Sequence, residues 1–402
     1  MKFLDYFSGI GGGRHGLELA GHECVGFCEA DKYAIASYIS MYLLTDEQRE
    51  YLATLPLRQR QKEILKDKYR NGEWFCNDIT KLKGIDVPQA DIWCFGAPCQ
   101  SFSVAGRRAG LEGQSGLVGE IFRILRETAE DNRPEWLIYE NVKGMFSSNK
   151  GFDYFAILAE MDELGYDCQW DTLNSKYFGV PQNRERVYTL GHLRTRGGSA
   201  VKIFPLEGTD AEGSVPRINI LAHYDGYRRN TQTFDPDGIT EALSTCQGGG
   251  REHHTIVKID PDIIVVGHTR LYKGVAKNDK ERIFDINGVS STMRASDYKE
   301  PQKVAIPVSH DSAVNKEDGI YVALGNDLIV YAVWYEKYNC YVAIRKLTPR
   351  ECFRLQGFSD DLYERAEFVN SDTQLYKQSG NAITVPVAYE VGKRLKENES
   401  KN

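Results

Sequence analysis

Short apolar runs alternate with amphipathic stretches through about residue 191. The apolar runs predict strands at residues 2–7, 24–28, 91–95, 136–140, 169–173 and 187–191. Between them lie helix-like segments such as 119–131 and 152–164; in the second, Phe155, Leu158, Met161 and Leu164 share one face. This alternation predicts an α/β fold, with a doubly wound, mostly parallel sheet that binds ligands at the carboxyl ends of its strands.

A basic stretch interrupts the alternation at about 45–73. It opens with a Thr-x-x-Gln capping box at Thr45 and Gln48, breaks at Pro56, and continues through the lysine- and arginine-rich residues 58–70. We interpret it as a helical insertion. Its basic residues are typical either of a solvated helix face or of a contact with phosphate.

The pattern changes twice more along the chain. From about 192 it consists of short β-like runs separated by Gly and Asp turns. From 345 it is helical again, and Thr348-Pro349-Arg350-Glu351 is a typical helix start. We therefore predict three parts: a core over 1–191, a smaller β-rich domain over 192–344, and a C-terminal segment over 345–402.

The composition is that of a globular protein. Of its 402 residues, 41% are hydrophobic and 27% are charged, which argues against a disordered or fibrous chain. No apolar run reaches the roughly 20 residues of a membrane span, and no leader-like segment precedes the first strand, so we expect a cytoplasmic protein without membrane contact. The 9 cysteines include no CxxC pair, which argues against a metal site or disulfides. A net charge of −7 does not exclude nucleic acid, because a basic groove needs only local charge.

A glycine-rich turn follows the first predicted strand. It contains a G-x-G-x-x-G pattern at 11–16, and Glu29 and Asp31 follow at the end of the next strand. Such a turn lets a ligand approach the backbone closely, and a carboxylate placed there suits ribose hydroxyls. The pattern fits a dinucleotide or another adenosyl cofactor; a purely structural glycine turn is the alternative.

Further segments carry side chains suited to chemistry at strand ends. Cys99 follows the strand 91–95 on a Gly- and Ser-rich loop with a basic sequel at 105–110, which favours a nucleophile over a packed thiol. Glu140 ends an apolar strand, so we expect it near Cys99. Arg184 and Arg186 precede a strand two residues apart, which predicts one shared face suited to phosphate or carbonyl oxygens; solvated arginines are the alternative. We predict that 378–386 is a turn into a helix whose start meets a ligand.

Several of these segments occur together with others in a characteristic order. They are FSGIGG (7–12), Glu29, Asp78-Ile79, PCQ (98–100), ENV (140–142), QNRER (182–186), RKLTPRECFRLQGF (345–358) and QSGNAITVP (378–386). In this order and approximate spacing the chain resembles the DNA (cytosine-5)-methyltransferase family of bacterial or phage type. The resemblance spans the chain except for the insertion at 45–73 and the middle domain.

The resemblance implies S-adenosylmethionine as the methyl donor and S-adenosylhomocysteine as its product. Glu29 would bind the ribose, and Asp78 and Ile79 the adenine. The cofactor site implied by the resemblance consists of Phe7, Gly9, Ile10, Gly11, Gly12, Glu29, Asp78, Ile79, Pro98, Leu117, Asn381 and Ile383. Where many members stack an aromatic side chain on the adenine, this chain has Ala30, which cannot supply that contact.

The implied reaction is methylation of C5 of a cytosine that has been flipped out of duplex DNA. Cys99 would add to C6 of the ring and make C5 nucleophilic, and Glu140 would bind N3 and the exocyclic amine to relieve the developing charge. Arg186 would bind the carbonyl O2, whereas Arg184 would serve a phosphate or the catalytic loop. The base that removes the C5 proton is unassigned, and a water in the cleft would suffice.

The middle domain, 192–344, would be the target-recognition domain, and 345–402 would return to the catalytic core. Candidate DNA contacts are Ser103, Arg107, Arg228, Arg229, Arg251, Thr292 and Arg294, since arginine reads guanine in the major groove; solvated loop charges are the alternative. The implied partner is duplex DNA, bound by a monomer near the nucleoid and without a metal. A companion restriction endonuclease is compatible with the resemblance.

Three other functions compete with this interpretation. An NAD-dependent oxidoreductase fits the glycine pattern but leaves PCQ, ENV and the two arginines unexplained. An RNA cytosine-5 methyltransferase would use the same core, but the middle domain is larger than one structured RNA target should require. A non-enzymatic DNA-binding module would be expected to lack Cys99, Glu140 or the glycine turn, and all are present.

Overall fold

A computed structural model describes residues 1–98, 116–196, 201–206, 220–223, 232–234, 265–268, 282–285, 290–291, 293, 303–308, 313–316, 319–323, 329–335 and 340–399. Within these ranges the chain forms a mixed seven-stranded sheet with helices on both faces, and a second seven-stranded sheet that is mostly antiparallel. The first sheet positions the candidate site.

The first sheet is mostly parallel. Up to residue 193 the strands are β1 (Lys2–Tyr6), β2 (Glu23–Cys28), β3 (Trp74–Cys76), β4 (Ile92–Phe95), β5 (Trp136–Val142), β6 (Tyr166–Asn174), β7 (Gln182–Asn183) and β8 (Glu185–Leu193). The sheet order is β3-β2-β1-β4-β5-β8-β6; β8 runs antiparallel to its neighbours β5 and β6, and the other pairs are parallel. The order reverses at β1, which lies between β2 and β4, so a ligand crevice is expected at the carboxyl ends of these strands.

The strands predicted from apolar runs are all present, with ends that differ by a few residues. The prediction missed β3 and β7, because elements of two or three residues are too short to show a period of two. The chain alternates its contacts along β4: Trp93 and Phe95 pack on one face of the sheet, and Ile92 and Cys94 on the other. Burial of both faces explains why this strand reads as a continuous apolar run.

Helices cover both faces of this sheet. They are α1 (Gly12–Leu19), α2 (Lys32–Tyr42), α3 (Asp46–Ala53), α4 (Leu57–Glu63), α5 (Leu117–Glu127), α6 (Phe152–Glu163), α7 (Pro349–Arg354), α8 (Asp360–Glu367), α9 (Asp372–Asn381) and α10 (Val385–Glu399). α5 and α6 pack on one face, while α1 and α10 pack together on the other. Among the helices of the described ranges, none is long and apolar enough to cross a membrane.

Two predicted helices differ in detail from those observed. The segment predicted at 119–131 is α5, which begins at Leu117 and ends at Glu127. Met161 of α6 and its C-cap residue Leu164 are buried, but Phe155 is 68% exposed. The shared face of the predicted helix is therefore only partly buried.

The insertion at 45–73 is helical, as predicted. The capping box of Thr45 and Gln48 opens α3, and Leu52, Ile64 and Tyr69 are buried in a cluster with residues of β2 and α2. Arg60 donates to the carbonyl oxygen of Phe368 at 2.5 Å. The insertion is therefore fastened to the core and to the C-terminal segment, while α4 itself has no buried residue.

The C-terminal helices return to the glycine turn. Thr348 and Glu351 form a capping box at the start of α7, with proline in the first turn as predicted. The prediction of a turn over 378–386 is wrong for 378–381, which form the last turn of α9; the chain then passes through Ala382–Thr384 into α10. A Cβ on Gly16 of α1 would lie 2.5 Å from Cβ of Ala388 in α10, so glycine is what lets these helices approach closely.

Between residues 220 and 346 the described backbone is β-structure. Its strands are β9 (Ile220–His223), β10 (Gln232–Phe234), β11 (Val265–His268), β12 (Arg282–Asp285), β13 (Ser290–Ser291), β14 (Lys303–Val308), β15 (Ala313–Lys316), β16 (Gly319–Ala323), β17 (Ile329–Tyr335) and β18 (Cys340–Lys346). The second sheet has the order β11-β12-β14-β18-β17-β16-β15, and only β12 and β14 pair in parallel. β18 continues past residue 344, and the division into three parts stays a prediction.

Candidate active site

The glycine turn between β1 and α1 has a backbone that glycine makes accessible. Phe7, Gly9 and Gly11 have positive φ values of 53°, 56° and 76°. Glycine adopts this region without strain, whereas residues with a side chain, such as Phe7, rarely adopt it. Gly11 is the N-cap residue of α1 and has no side chain of its own to cap the helix. A Cβ on Gly12 would lie 2.1 Å from the carbonyl oxygen of Ile383. The structure therefore brings Gly12 and Ile383, which are predicted to share the cofactor site, into direct contact.

Glu29 joins the end of β2 to the glycine turn. Its Oε2 accepts from the Gly9 amide at 2.8 Å, and its Oε1 accepts from the amides of Ala30 and Asp31, both at 2.8 Å. Burial raises the pKa of Glu29, and these amides oppose that shift. A carboxylate has about four lone-pair positions, so a ribose hydroxyl would have to join three existing bonds. Ala30 itself is exposed.

Asp78 and Ile79 follow the carboxyl end of β3, which runs parallel to β2 and so ends at the same edge of the sheet. The Asp78 carboxylate accepts from the Thr80 hydroxyl at 2.6 Å and pairs with Lys81 at 2.8 Å. The contact with Lys81, followed by that with Thr80, lowers the pKa of Asp78 to about 2. Ile79 belongs to the hydrophobic cluster against which Phe7 and Leu117 also pack. Three of the apolar side chains predicted to hold the cofactor thus contact one cluster, while Asn381 is exposed at the end of α9.

Glu140 and Arg186 form an ion pair across β5 and β8. Arg186 Nε lies 3.1 Å from Glu140 Oε1, and the two side chains are 15% and 11% exposed. Opposite β5, a Cβ on Gly96 would lie 3.3 Å from Glu140 Oε2. The Asn141 amide donates to the carbonyl oxygen of Ala97 at 3.4 Å. The carboxylate therefore lies beside the segment that leads through Pro98 to Cys99.

A small cavity lies beside this carboxylate. It is lined by Leu17, Cys94, Ile138, Glu140, Tyr188, Ile383, Ala388 and Val391. Ile383 contributes both to this lining and to the contact with Gly12. The acid and the glycine turn are consequently held by one packed unit, and a shift of Ile383 would affect both.

Arg184 occupies a different environment from Arg186. It is 2% exposed, and its guanidinium donates to the carbonyl oxygens of Met293 (3.2 Å), Gly380 (3.2 Å) and Ala382 (2.9 Å). The predicted shared face is wrong, because Arg184 lies between β7 and β8, where the strand alternation is interrupted. The structure places Arg184 away from solvent, and its predicted service to a phosphate or the catalytic loop stays a prediction.

We expect Arg184→Ala to lower the free energy of unfolding by about 3 kcal/mol, because buried carbonyl oxygens lose their donor and a cavity remains. Urea unfolding followed by circular dichroism measures the change. Arg58→Ala, at an exposed position of α4, is the control and should change stability by less than about 0.5 kcal/mol. An Arg184→Ala protein with wild-type stability would contradict this structural role.

Eight of the predicted site residues lie outside the described residues: Cys99, Ser103, Arg107, Arg228, Arg229, Arg251, Thr292 and Arg294. Met293 is described: it is buried, its amide donates to Gln182 Oε1 at 3.3 Å, and β13 pairs with β7. In the described ranges, no three His, Cys, Asp or Glu side chains gather as a metal site would require.

Sequence reasoning missed two polar side chains that organise the site. Gln182 donates to the carbonyl oxygen of Leu355 at 2.9 Å, and Asn141 bonds to the Tyr139 hydroxyl at 2.7 Å as well as to Ala97. Both are buried. Their position inside the motifs ENV and QNRER was the available signal, but the pattern does not distinguish a residue that positions others from one that contacts the substrate.

Comparison with known proteins adds to this geometry. The family model of the C-5 cytosine-specific DNA methylases matches residues 1–51 and 48–397. The chain belongs to this family. Membership confirms the resemblance seen in the motifs and identifies the protein as a methyltransferase of the C-5 cytosine family, which excludes the NAD-dependent oxidoreductase.

Relatives share the full length of this methyltransferase. The orphan methyltransferase M.SPRI of Bacillus phage SPR is 28% identical, over 98% of this chain and 97% of the relative. The type II methyltransferase M2.ScrFI of Lactococcus lactis subsp. cremoris is 27% identical, over 98% of this chain and 99% of its own. These names place relatives of the methyltransferase both in restriction-modification systems and outside them.

Solved structures confirm the fold class. The methyltransferase superposes on the Dnmt2 methyltransferase of S. pombe with a TM-score of 0.55 at 18% identity, over 99% of each chain. A putative DNA modification methyltransferase from an E. coli prophage gives a TM-score of 0.51 at 16% identity, over 100% of this chain and 99% of that one. The mostly parallel sheet is thus the Rossmann-like methyltransferase core that the sequence predicted.

Proposed function

We propose that this protein is a DNA methyltransferase that transfers a methyl group from S-adenosylmethionine to C5 of a flipped-out cytosine in duplex DNA. The observation that carries the proposal is the Glu140–Arg186 pair at 3.1 Å, beside the segment that precedes Cys99. A carboxyl group and a guanidinium held together at a strand end can bind one edge of a pyrimidine, which the thiol can then attack from the ring face.

The residues around the glycine turn fit the cofactor. The turn leaves no room for a side chain at Gly12 and leads directly into the start of α1, while Phe7, Ile79 and Leu117 supply an apolar surface for the adenine. Glu29 would hold the ribose through its remaining lone-pair position. When bound there, S-adenosylmethionine supplies an electrophilic methyl group. Pro98, Asn381 and Ile383 would complete the site.

Each residue near Glu140 has one part in the proposed reaction. The Cys99 thiolate adds to C6 of cytosine, and Glu140 gives a proton to N3, so the ring becomes an enamine with a nucleophilic C5. Arg186 binds O2 and keeps the Glu140 carboxyl oriented. After C5 has gained the methyl group, a base, for which a water suffices, removes the C5 proton. The Cys99–C6 bond then breaks, N3 returns its proton to Glu140, and the thiolate is restored.

Two features favour DNA over RNA as the substrate. The β-structure between residues 220 and 346 is larger than a single structured RNA should require, and we assign it to target recognition. The relatives are named for phage and type II systems. We also propose that the protein acts as a monomer on DNA, by its resemblance to the family. Flipping the target cytosine out of the duplex costs a few kcal/mol.

The proposal is tested by transfer of tritiated methyl groups from S-adenosylmethionine to mixed-sequence duplex DNA and, separately, to structured RNA, followed by base analysis. We expect label in 5-methylcytosine of DNA, and inhibition by added S-adenosylhomocysteine. Label confined to RNA would preserve the chemistry and overturn the substrate. Absence of label from both would overturn the proposed function.

A further inference from the structure

Tyr42, the last residue of α2, contacts the glycine turn. Its hydroxyl lies 3.2 Å from the carbonyl oxygen of Ile10 and 3.1 Å from that of Gly11. Burial raises the pKa of Tyr42 above its ordinary value, so the hydroxyl keeps its proton and acts as a donor to these oxygens. No motif of the chain includes this tyrosine.

The Tyr42 hydroxyl holds the turn peptides together with α1, because the Gly11 carbonyl oxygen also accepts from the His15 amide at 2.9 Å, while for the Ile10 carbonyl oxygen the hydroxyl is the described donor. In a trans peptide the C=O and the following N–H point in opposite directions. Carbonyls of Ile10 and Gly11 that face Tyr42 therefore direct the amides of Gly11 and Gly12 away from it. The Gly11 amide donates to the carbonyl oxygen of Ser8 within the turn, at 2.8 Å. The Gly12 amide is the first amide of α1 and belongs to the turn that we propose to hold the cofactor.

Packing holds the tyrosine ring in this position. A Cβ on Gly11 would lie 2.6 Å from Tyr42 Cε2, so ring and turn are in close contact. The Arg14 guanidinium lies 4.8 Å from the ring centroid and is itself fixed by Glu18 at 2.9 Å and Glu73 at 2.7 Å. The hydroxyl is thus presented to the turn by a buried ion-pair network and by the end of a helix.

We propose that Tyr42 is a positioning residue that orients the glycine turn for the amino-acid end of the cofactor. It acts through the Ile10 and Gly11 carbonyls and not by touching the cofactor. This inference rests on the proposed function. It predicts a selective defect: ligands with the methionine or homocysteine portion depend on the Tyr42 hydroxyl, and ligands without it do not.

The experiment uses Tyr42→Phe, which removes the hydroxyl and keeps the ring against Gly11. Calorimetry gives the Kd of S-adenosylhomocysteine and of 5′-methylthioadenosine, which lacks the amino-acid end. We expect Kd for S-adenosylhomocysteine to rise about threefold to tenfold, as for loss of one hydrogen bond, and Kd for methylthioadenosine to stay the same. KM for S-adenosylmethionine should rise by the same factor, with kcat unchanged at saturation.

Tyr38→Phe is the matched control, because its hydroxyl contacts Cys24 Sγ at 3.6 Å and not the carbonyls of the turn. It should leave both Kd values unchanged. Equal weakening of the two ligands by Tyr42→Phe would indicate a general structural role and overturn the inference, as would an unchanged Kd for S-adenosylhomocysteine. Failure of the wild-type protein to bind S-adenosylhomocysteine would instead contradict the proposed function.

Discussion

Cys99→Ser is expected to lower the single-turnover rate of methyl transfer to DNA by at least about a thousandfold, because a serine hydroxyl is a far weaker nucleophile than a thiolate and loss of a covalent nucleophile is among the costliest changes an active site can suffer. The Kd of S-adenosylhomocysteine should not change, since the role proposed for Cys99 is attack on cytosine. Rapid-quench assays and calorimetry measure the two quantities separately.

A covalent trap distinguishes loss of the nucleophile from a general defect. Fluorine at C5 of cytosine cannot leave as the proton does, so the adduct on 5-fluorocytosine DNA should persist in a denaturing gel with the wild-type protein and be absent with Cys99→Ser. Cys168→Ser, at a half-buried thiol of β6, is the control and should form the adduct. An adduct with Cys99→Ser would show that another residue attacks C6.

The acid and the guanidinium lie on two paired strands of the sheet. Glu140 and Arg186 lie on neighbouring strands, with Glu140 opposite Tyr188 and Arg186 opposite Val142, so their distance is fixed by strand register. Side chains on paired strands hold their geometry better than those on loops. Because Gly96 and Ala97 contact Glu140 and Asn141, the segment before Cys99 is aligned with the acid.

Much of the fold could be predicted from the sequence because burial on both faces leaves a clear pattern. β4 and β5 appear as continuous apolar runs that end at the crevice, and Glu140 was assigned to a strand end on that basis. β3 has three residues and no pattern to detect. Phe155 belongs to an apolar face that is only partly buried, which depends on where the helix lies and not on its period.

The site was only partly predictable, because residues of the same type have different roles in the structure. Arg184 and Arg186 are two residues apart, yet one bonds to carbonyl oxygens of distant segments and the other to Glu140. Tyr42 reaches the carbonyl of Gly11 across 31 residues of sequence. Contacts of this kind arise from the packing of elements, and no local spacing reports them.

Gly12→Ala is expected to reduce the affinity for S-adenosylhomocysteine by at least about a hundredfold and to destabilise the protein. The added Cβ would lie 2.1 Å from the carbonyl oxygen of Ile383 and 3.0 Å from its carbonyl carbon, and backbone atoms cannot yield as a flexible side chain can. Relief requires the glycine turn and the 382–384 connection to separate, which opens the proposed cofactor site. Calorimetry and thermal unfolding measure the two effects.

Gly119→Ala provides the matched control, since it adds the same methyl group to a glycine in the first turn of α5. No atom of the described residues lies within 4 Å of its Cβ position, and alanine favours the helix by about 1 kcal/mol. This variant should bind S-adenosylhomocysteine normally and unfold at a slightly higher temperature. If Gly12→Ala bound the ligand as well as Gly119→Ala does, the contact with Ile383 would not define the cofactor site, and the turn would be a structural feature alone.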